Sequence, residues 1–245
     1  ESLVLWFSAT VVSPVSSAED AAELSVIGRS FDNGIVCACQ QSLFYPAEKE
    51  VEVLEYLKDK QAAVITNKAD LAKLRETLFV DGKANPAMIG QDPKVIADAA
   101  GVEIPADSQI IAVRVEAVGK EELFCKEKMA PVLALKSYDK FEEAVAFAQE
   151  NLLLEGAGHS AGLFSHTKEH QIYAGEVLPV SRLVVNQPTI DAGGSPANGL
   201  SPTVSLGCGS WGNNIISENL NYTHLINISR IASPIPPKHD DNPWD

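Results

Sequence analysis

The feature that most constrains the fold is a repeated alternation of short apolar runs with longer amphipathic stretches between residues 4 and 187. Residues 4–12 read as a strand that stops at Pro14 and two serines, Ser16 and Ser17. An Ala-rich helical run follows at 18–29. Residues 43–45 read as a short strand, and 47–60 as an amphipathic helix with Val51, Leu54 and Leu57 at helical spacing. Asn67 or Asp70 is placed to cap a helix through Leu78, and residues 93–100 form another that Gly101 closes. The runs 109–115 ("QIIAVRV") and 132–135 read as buried strands, and 181–187 ("SRLVVNQ") is strand-like again. Between them, 139–154 keeps Phe141, Val145, Ala148 and Leu152 on one helical face. Strands alternating with helices predict an α/β fold built on a parallel sheet with crossover helices. The texture then changes: 193–214 is rich in Gly, Ser and Asn, and the acidic tail from Ser233 is held extended by its prolines.

At 245 residues, 45% hydrophobic and 21% charged, the chain can bury a substantial core. Its net charge of −14 argues against nucleic acid or an anionic membrane surface as the main partner, because both recruit basic surfaces. An anionic ligand therefore needs a local basic pocket. The four cysteines, Cys37, Cys39, Cys125 and Cys208, show neither a CxxC pair nor zinc-ligand spacing. The expectation is no metal, no disulfide framework and a reduced, cytoplasmic setting. No apolar run approaches the ~18 residues of a membrane span, and no secretory signal pattern opens the sequence.

The stretch "SFDNGIVCACQQS" carries the first candidate for chemistry. Asp32, Asn33 and Gly34 break the preceding helix and deliver Cys37 on a polar turn, where a thiol can be reached; the competing reading is a small buried residue, common for free cysteine. Taken alone, Glu127 in "KEKMAP" is a solvated charge, and His159 in "GAGHS" is a structural histidine or a base suited to neutral pH. Arg182, Lys126 and Lys128 are the basic groups nearest these segments, as anchors for an anion or as salt-bridge partners.

Taken in order, "SFDNGIVCACQQS", "CKEKMAPVLAL", "EGAGHSAGLFSH", "SRLVVNQP" and "LGCGSWGNNIISENLNYTHLINISRIA" make the chain resemble the CoA-acylating aldehyde dehydrogenases. The likeness is strongest to CoA-dependent succinate-semialdehyde dehydrogenases and extends to acylating sulfoacetaldehyde dehydrogenases and the aldehyde half of aldehyde-alcohol dehydrogenases. It runs from about Ala18 to Ala232. The resemblance implies an aldehyde dehydrogenase-type catalytic domain over 18–190. An active-site loop, a return or oligomerisation segment and the tail occupy 191–245, and 1–17 is atypical. It implies Cys37 as the nucleophile that takes the aldehyde carbon, passes hydride to NAD or NADP and holds the acyl group as a thioester for coenzyme A. His159 is implied as base for the incoming thiol or as donor to the oxyanion, and both roles stay open. Glu127, Gly207 and Gly209 are implied on the cofactor side, and Asn186, Arg182 and Ser210 on the substrate side. A small aldehyde and CoA are the implied partners, in a homo-oligomer.

The sequence also departs from that pattern. Family members place a nucleotide-binding domain before the nucleophile, whereas 36 residues precede Cys37 here, so the expectation is the C-terminal half of the enzyme with the NAD-binding domain largely absent. Gln40 stands where many relatives carry Glu. The glutamate with which hydrolytic relatives activate water has no counterpart in context, which suits a thioester that waits for CoA. Two other readings stay open at this level: a non-catalytic oligomerisation module, and a thiol hydrolase using Cys37 and His159.

Overall fold

The computed structural model describes residues 8–234. Its strands are β1 (Ser8–Val12), β2 (Gln40–Pro46), β3 (Ala62–Ile65), β4 (Phe79–Val80), β5 (Lys83–Ala84), β6 (Ile110–Arg114), β7 (Val132–Tyr138), β8 (Gly158–Phe164) and β9 (Val180–Val185). Between them run α1 (Ala18–Ser30), α2 (Glu50–Asp59), α3 (Lys68–Leu78), α4 (Pro93–Ala100), α5 (Phe141–Glu155) and α6 (Lys168–Val177). Seven strands form one sheet in the order β3-β6-β7-β2-β1-β8-β9, and each neighbouring pair is parallel. The remaining two, β4 and β5, make a small antiparallel hairpin.

Residue alternation explains why both faces of the sheet are covered. On β7, Leu133 and Leu135 join the core under α1 and α2, while Val132 and Ala134 join the one under α3 and α4. A strand apolar on both sides must be buried on both, which crossover helices achieve. The α5 face, carrying Phe141, Val145, Ala148 and Leu152, packs on Ala9, Val11, Phe44 and Leu163 of the strands beyond. Asn67 caps α3 by accepting from the Asp70 amide at 2.9 Å, and Gly101 ends α4 in the left-handed conformation at φ 64°.

Several details differ from the sequence reading. The stretch 47–60 opens with a 3₁₀ turn (Ala47–Lys49) before α2, whose buried face carries Val53 and Leu57, one helical turn apart, while Val51 is 70% exposed. Neither β3, β8 and α6 nor the β4–β5 hairpin is among the elements expected from the sequence. Residues 4–7 of the first expected strand, and the tail beyond 234, lie outside the described residues. Among those described, no helix is long and apolar enough to cross a membrane.

After β9 the chain turns back across the sheet. Thr189 lies over Gly162 and Thr10 in mid-sheet; a Cβ on Gly162 would come within 2.6 Å of the Thr189 methyl. The Thr189 hydroxyl then donates to Ala38 O at 2.6 Å. This return ties the segment after β9 to the turn that carries Cys37.

Candidate active site

The turn that carries Cys37 begins with three consecutive left-handed residues, Asp32 (φ 47°), Asn33 (φ 48°) and Gly34 (φ 70°). Asn and Asp tolerate this region and Gly adopts it freely, so "DNG" stops α1 and reverses the chain. Only Gly fits at the third place, because a Cβ on Gly34 would sit 2.6 Å from Ala130 O. The Asn33 amide donates to Gly90 O at 3.0 Å and to Asp92 Oδ1 at 2.9 Å. Arg29, fully buried at the end of α1, donates to Gln40 O at 3.2 Å, to Gly34 O at 3.4 Å and to Ala130 O. One guanidinium therefore clasps both sides of the Cys37 turn and the segment that carries Glu127.

Cys37 is half-buried, whereas Cys39, Cys125 and Cys208 are buried. Its Sγ lies 3.2 Å from His159 Nε2, across β1, which separates the Cys37 side of the sheet from β8. Burial, and then the Glu127 carboxylate, push the Cys37 thiol up, while the amides of Cys37 and Ala38 aim at the sulfur and oppose that rise. His159 is 2% exposed; burial, and then the Arg182 cation, hold it down to about 4. At neutral pH the pair is a neutral thiol facing a neutral imidazole. On its other side, His159 Nδ1 is 2.7 Å from Ser160 Oγ, and Ser160 Oγ is 2.7 Å from Ser8 Oγ.

Glu127 is 4% exposed and so is not the solvated charge its surroundings in sequence suggest. Burial raises it to about 7 against the pull of Arg29, and Glu155 adds to the rise. Its Oε2 is buried with no hydrogen-bond partner among the described residues, as are the side-chain amide atoms of Gln40 and Gln41. Buried polar atoms left in this state mark a place where a polar group from outside the chain can bind.

The Gly-rich loop closes the same edge. Leu206 and Asn219 form an isolated antiparallel bridge, Gly207 N donates to Glu218 O, and Gly209 N donates to Ile216 O, both at 2.9 Å. Gly209 has φ 58°, and a Cβ on Gly207 would lie 2.2 Å from Ile216 O. Arg182, 5% exposed, pins this loop to the start of β8 by donating to Gly207 O at 2.8 Å and His159 O at 2.9 Å. Its two terminal nitrogens are thus engaged by carbonyls, while its Nε is buried with no hydrogen-bond partner among the described residues. Lys128 is likewise buried, its ammonium donating to Phe124 O, Gln41 O and Lys126 O, and burial lowers it to about 7. Lys126 donates to Gly82 O at 3.0 Å. Ser210 and Trp211 are exposed on the loop's outer turn.

Asn186 is not brought to Cys37. It follows β9, and its amide exchanges two hydrogen bonds with the Ser165 backbone at the carboxyl end of β8, about 20 Å along that strand from His159. The structure thus gathers Cys37, His159, Glu127, Arg182, Gly207 and Gly209 at the amino edge of the sheet and leaves Asn186 at the opposite edge. Sequence reasoning missed Arg29, Thr189, Ser160 and Ser8. A basic residue in the last helical turn was a weak signal for Arg29, and the serines carried none.

The comparisons with known proteins fit this arrangement. No family model matches the chain. It is 50% identical over 212 residues to the succinate-semialdehyde dehydrogenase (acetylating) of Clostridium kluyveri, covering 86% of this chain and 47% of that protein. It is 34% identical over 230 residues to the sulfoacetaldehyde dehydrogenase (acylating) of Cupriavidus necator, covering 93% of this chain and 46% of that one. The crystal structure of an acetylating aldehyde dehydrogenase from Geobacillus thermoglucosidasius superposes with a TM-score of 0.87 at 32% identity, over 96% of this chain and 52% of that one. The chain therefore spans about half the length of the relatives it matches. Sequence and fold agree that the chain's homologues are CoA-acylating aldehyde dehydrogenases, of which it corresponds to about half.

Proposed function

We propose that the chain carries the acyl-transfer site of an NAD(P)-dependent, CoA-acylating aldehyde dehydrogenase, with succinate semialdehyde as the favoured aldehyde. The observation that carries this reading is the 3.2 Å approach of Cys37 Sγ to His159 Nε2, on a half-buried thiol in a turn held from three sides. The choice of aldehyde rests on the similarity to the Clostridium kluyveri protein.

The neutral pair works by general base catalysis. As sulfur attacks the aldehyde carbon, the S–H proton moves to His159 Nε2 and the carbonyl electron pair moves to oxygen. The imidazolium beside the new oxyanion returns that proton to it. The amides of Cys37 and Ala38, which already point at the sulfur, are placed to donate to charge developing there. Glu127 fits the nicotinamide nucleotide, since its buried carboxylate oxygen, which has no hydrogen-bond partner among the described residues, would accept from ribose hydroxyls. When bound, that nucleotide would supply the hydride acceptor that turns the sulfur adduct into a thioester, the adduct's hydroxyl proton passing to His159 Nε2 and on to solvent. His159 then takes the proton of the CoA thiol as its sulfur attacks the thioester carbonyl, and returns that proton to the Cys37 sulfur as the bond to it breaks. Exposed Leu225, Ile228 and Ile231 support the reading of 191–245 as a return or oligomerisation segment, and sedimentation above monomer mass is the corresponding result.

Thioester exchange tests the site without hydride transfer. Incubated with succinyl-CoA, the chain is expected to acquire a succinyl group on Cys37, with free CoA released, as read by mass spectrometry of the peptides. His159→Ala is expected to slow this by about 10²-fold or more. Labelling of another cysteine in preference to Cys37 would sink the assignment, and faster transfer from acetyl-CoA than from succinyl-CoA would sink the substrate.

A further inference from the structure

Ser160 and Ser8 are both fully buried, and neither belongs to the machinery described so far. They are brought together by strand register: β1 and β8 are parallel neighbours in which Ser8 pairs with Ser160. Their hydroxyl oxygens lie 2.7 Å apart, and Ser160 Oγ lies 2.7 Å from His159 Nδ1, so a continuous polar line runs Cys37, His159, Ser160, Ser8 into the sheet.

We propose that Ser160, backed by Ser8, is a positioning residue that fixes the tautomer of His159 so that its Nε2 lone pair faces the Cys37 thiol. The inference rests on the reading of Cys37 and His159 as nucleophile and base. A thiol facing a neutral imidazole makes its better hydrogen bond as donor, S–H to nitrogen, which requires the ring proton to be on Nδ1. Nδ1–H then needs a buried acceptor, and Ser160 Oγ is there. A hydroxyl that accepts from Nδ1 must place its own proton elsewhere, and Ser8 Oγ is the acceptor within reach. When His159 takes the thiol proton, its Nδ1–H becomes a charge-assisted donor to the same hydroxyl, so the bond strengthens as the base works. The Arg182 cation faces the ring from β9 and opposes that charge, which makes a fixed acceptor at Nδ1 the more necessary.

The direct test is ¹⁵N NMR of the imidazole nitrogens in the chain, assigned by loss of the signal in His159→Ala. Wild type and Ser160→Thr, which keeps the hydroxyl on a strand-favouring residue, are expected to show the proton on Nδ1. Ser160→Ala is expected to show it on Nε2. The kinetic companion is Cys37 alkylation by iodoacetamide at pH 7. Ser160→Ala is expected to slow it by roughly tenfold, part of the 10²–10⁴ that a positioned base contributes, with no further loss when added to His159→Ala. An Nε2–H tautomer in the wild type, or a Ser160→Ala chain that keeps Nδ1–H, overturns the proposal. So does an equal loss from Ser160→Ala with and without His159, which marks a purely structural role. A His159→Ala chain alkylated at the wild-type rate would instead overturn the underlying base assignment.

Discussion

Replacing Glu127 by Gln offers the sharpest check on how the site is charged. The carboxyl is buried, and its proton affinity in the folded chain corresponds to about 7 against an ordinary 4.5. Below pH 4.5 the group is neutral whether folded or unfolded and costs nothing. As pH rises from 4.5 to 7, the unfolded chain ionises it while the folded chain resists, so stability is lost across that window and the loss is complete above 7. At about 1.4 kcal/mol per tenfold change in proton affinity, the penalty is about 1 kcal/mol at pH 5 and about 3 kcal/mol at pH 8. Gln is a neutral isostere, so Glu127→Gln should stabilise the chain by an amount that grows between those values. Part of the gain is offset, because Glu127 supports the charges of Arg29 and Lys128, which Gln cannot do. Urea unfolding at pH 5, 6.5 and 8 measures the difference from midpoint and slope. A difference that does not change with pH, or a variant less stable than wild type at pH 8, would refute a buried carboxylate held ready for an outside ligand.

Gly34→Ala places a Cβ against Ala130 O at positive φ, and a loss of about 2 kcal/mol or more is expected together with slower Cys37 alkylation; unfolding curves and peptide mass spectra read both. His159 sits at about 4 instead of 6.5, so the unfolded chain takes up its proton first and stability should fall by up to about 3 kcal/mol as pH drops from 6.5 to 4. His159→Gln should remove that part of the slope, which a pH series of thermal melts detects. Leu152→Ala, at a fully buried position of α5, should cost about 2–5 kcal/mol while leaving the order of cysteine labelling unchanged.

How much of this was legible in the sequence depended on whether apolar period or spatial register carried the information. Helix α5 was readable because Phe141, Val145, Ala148 and Leu152 repeat at the turn spacing and all four are buried. Helix α6 was not, since of its residues only Ala174 is buried and its sequence shows little apolar face. Strand β3 is four residues of small and branched side chains following a helix, too short to display a period. The face of α2 was misjudged because steps of three, Val51 to Leu54 to Leu57, drift round an α-helix and put the first and last on different sides, whereas Val53 and Leu57, four apart, share one face and are the buried pair. At the site, "DNG" announced the turn before Cys37, and the ordered blocks that carry the family likeness named His159 and Glu127. That Lys128 and the terminal nitrogens of Arg182 donate to backbone carbonyls follows from burial, which no local pattern reveals. Asn186 follows Arg182 closely in sequence, but one strand length puts it at the far edge of the sheet.

The central place of β1 has a consequence for how the site comes into being. The sulfur and the imidazole belong to segments 122 positions apart, and they meet only when β2 and β8 have both docked on the strand between them. Such long-range parallel pairing is slow to form, because the chain must close a large loop before the contact rewards it. During synthesis the thiol emerges well before His159, the base proposed for it, and for that interval it behaves as an ordinary cysteine. Its activation is therefore a late event of folding, and in a refolding time course the quickening of Cys37 should trail the appearance of helix.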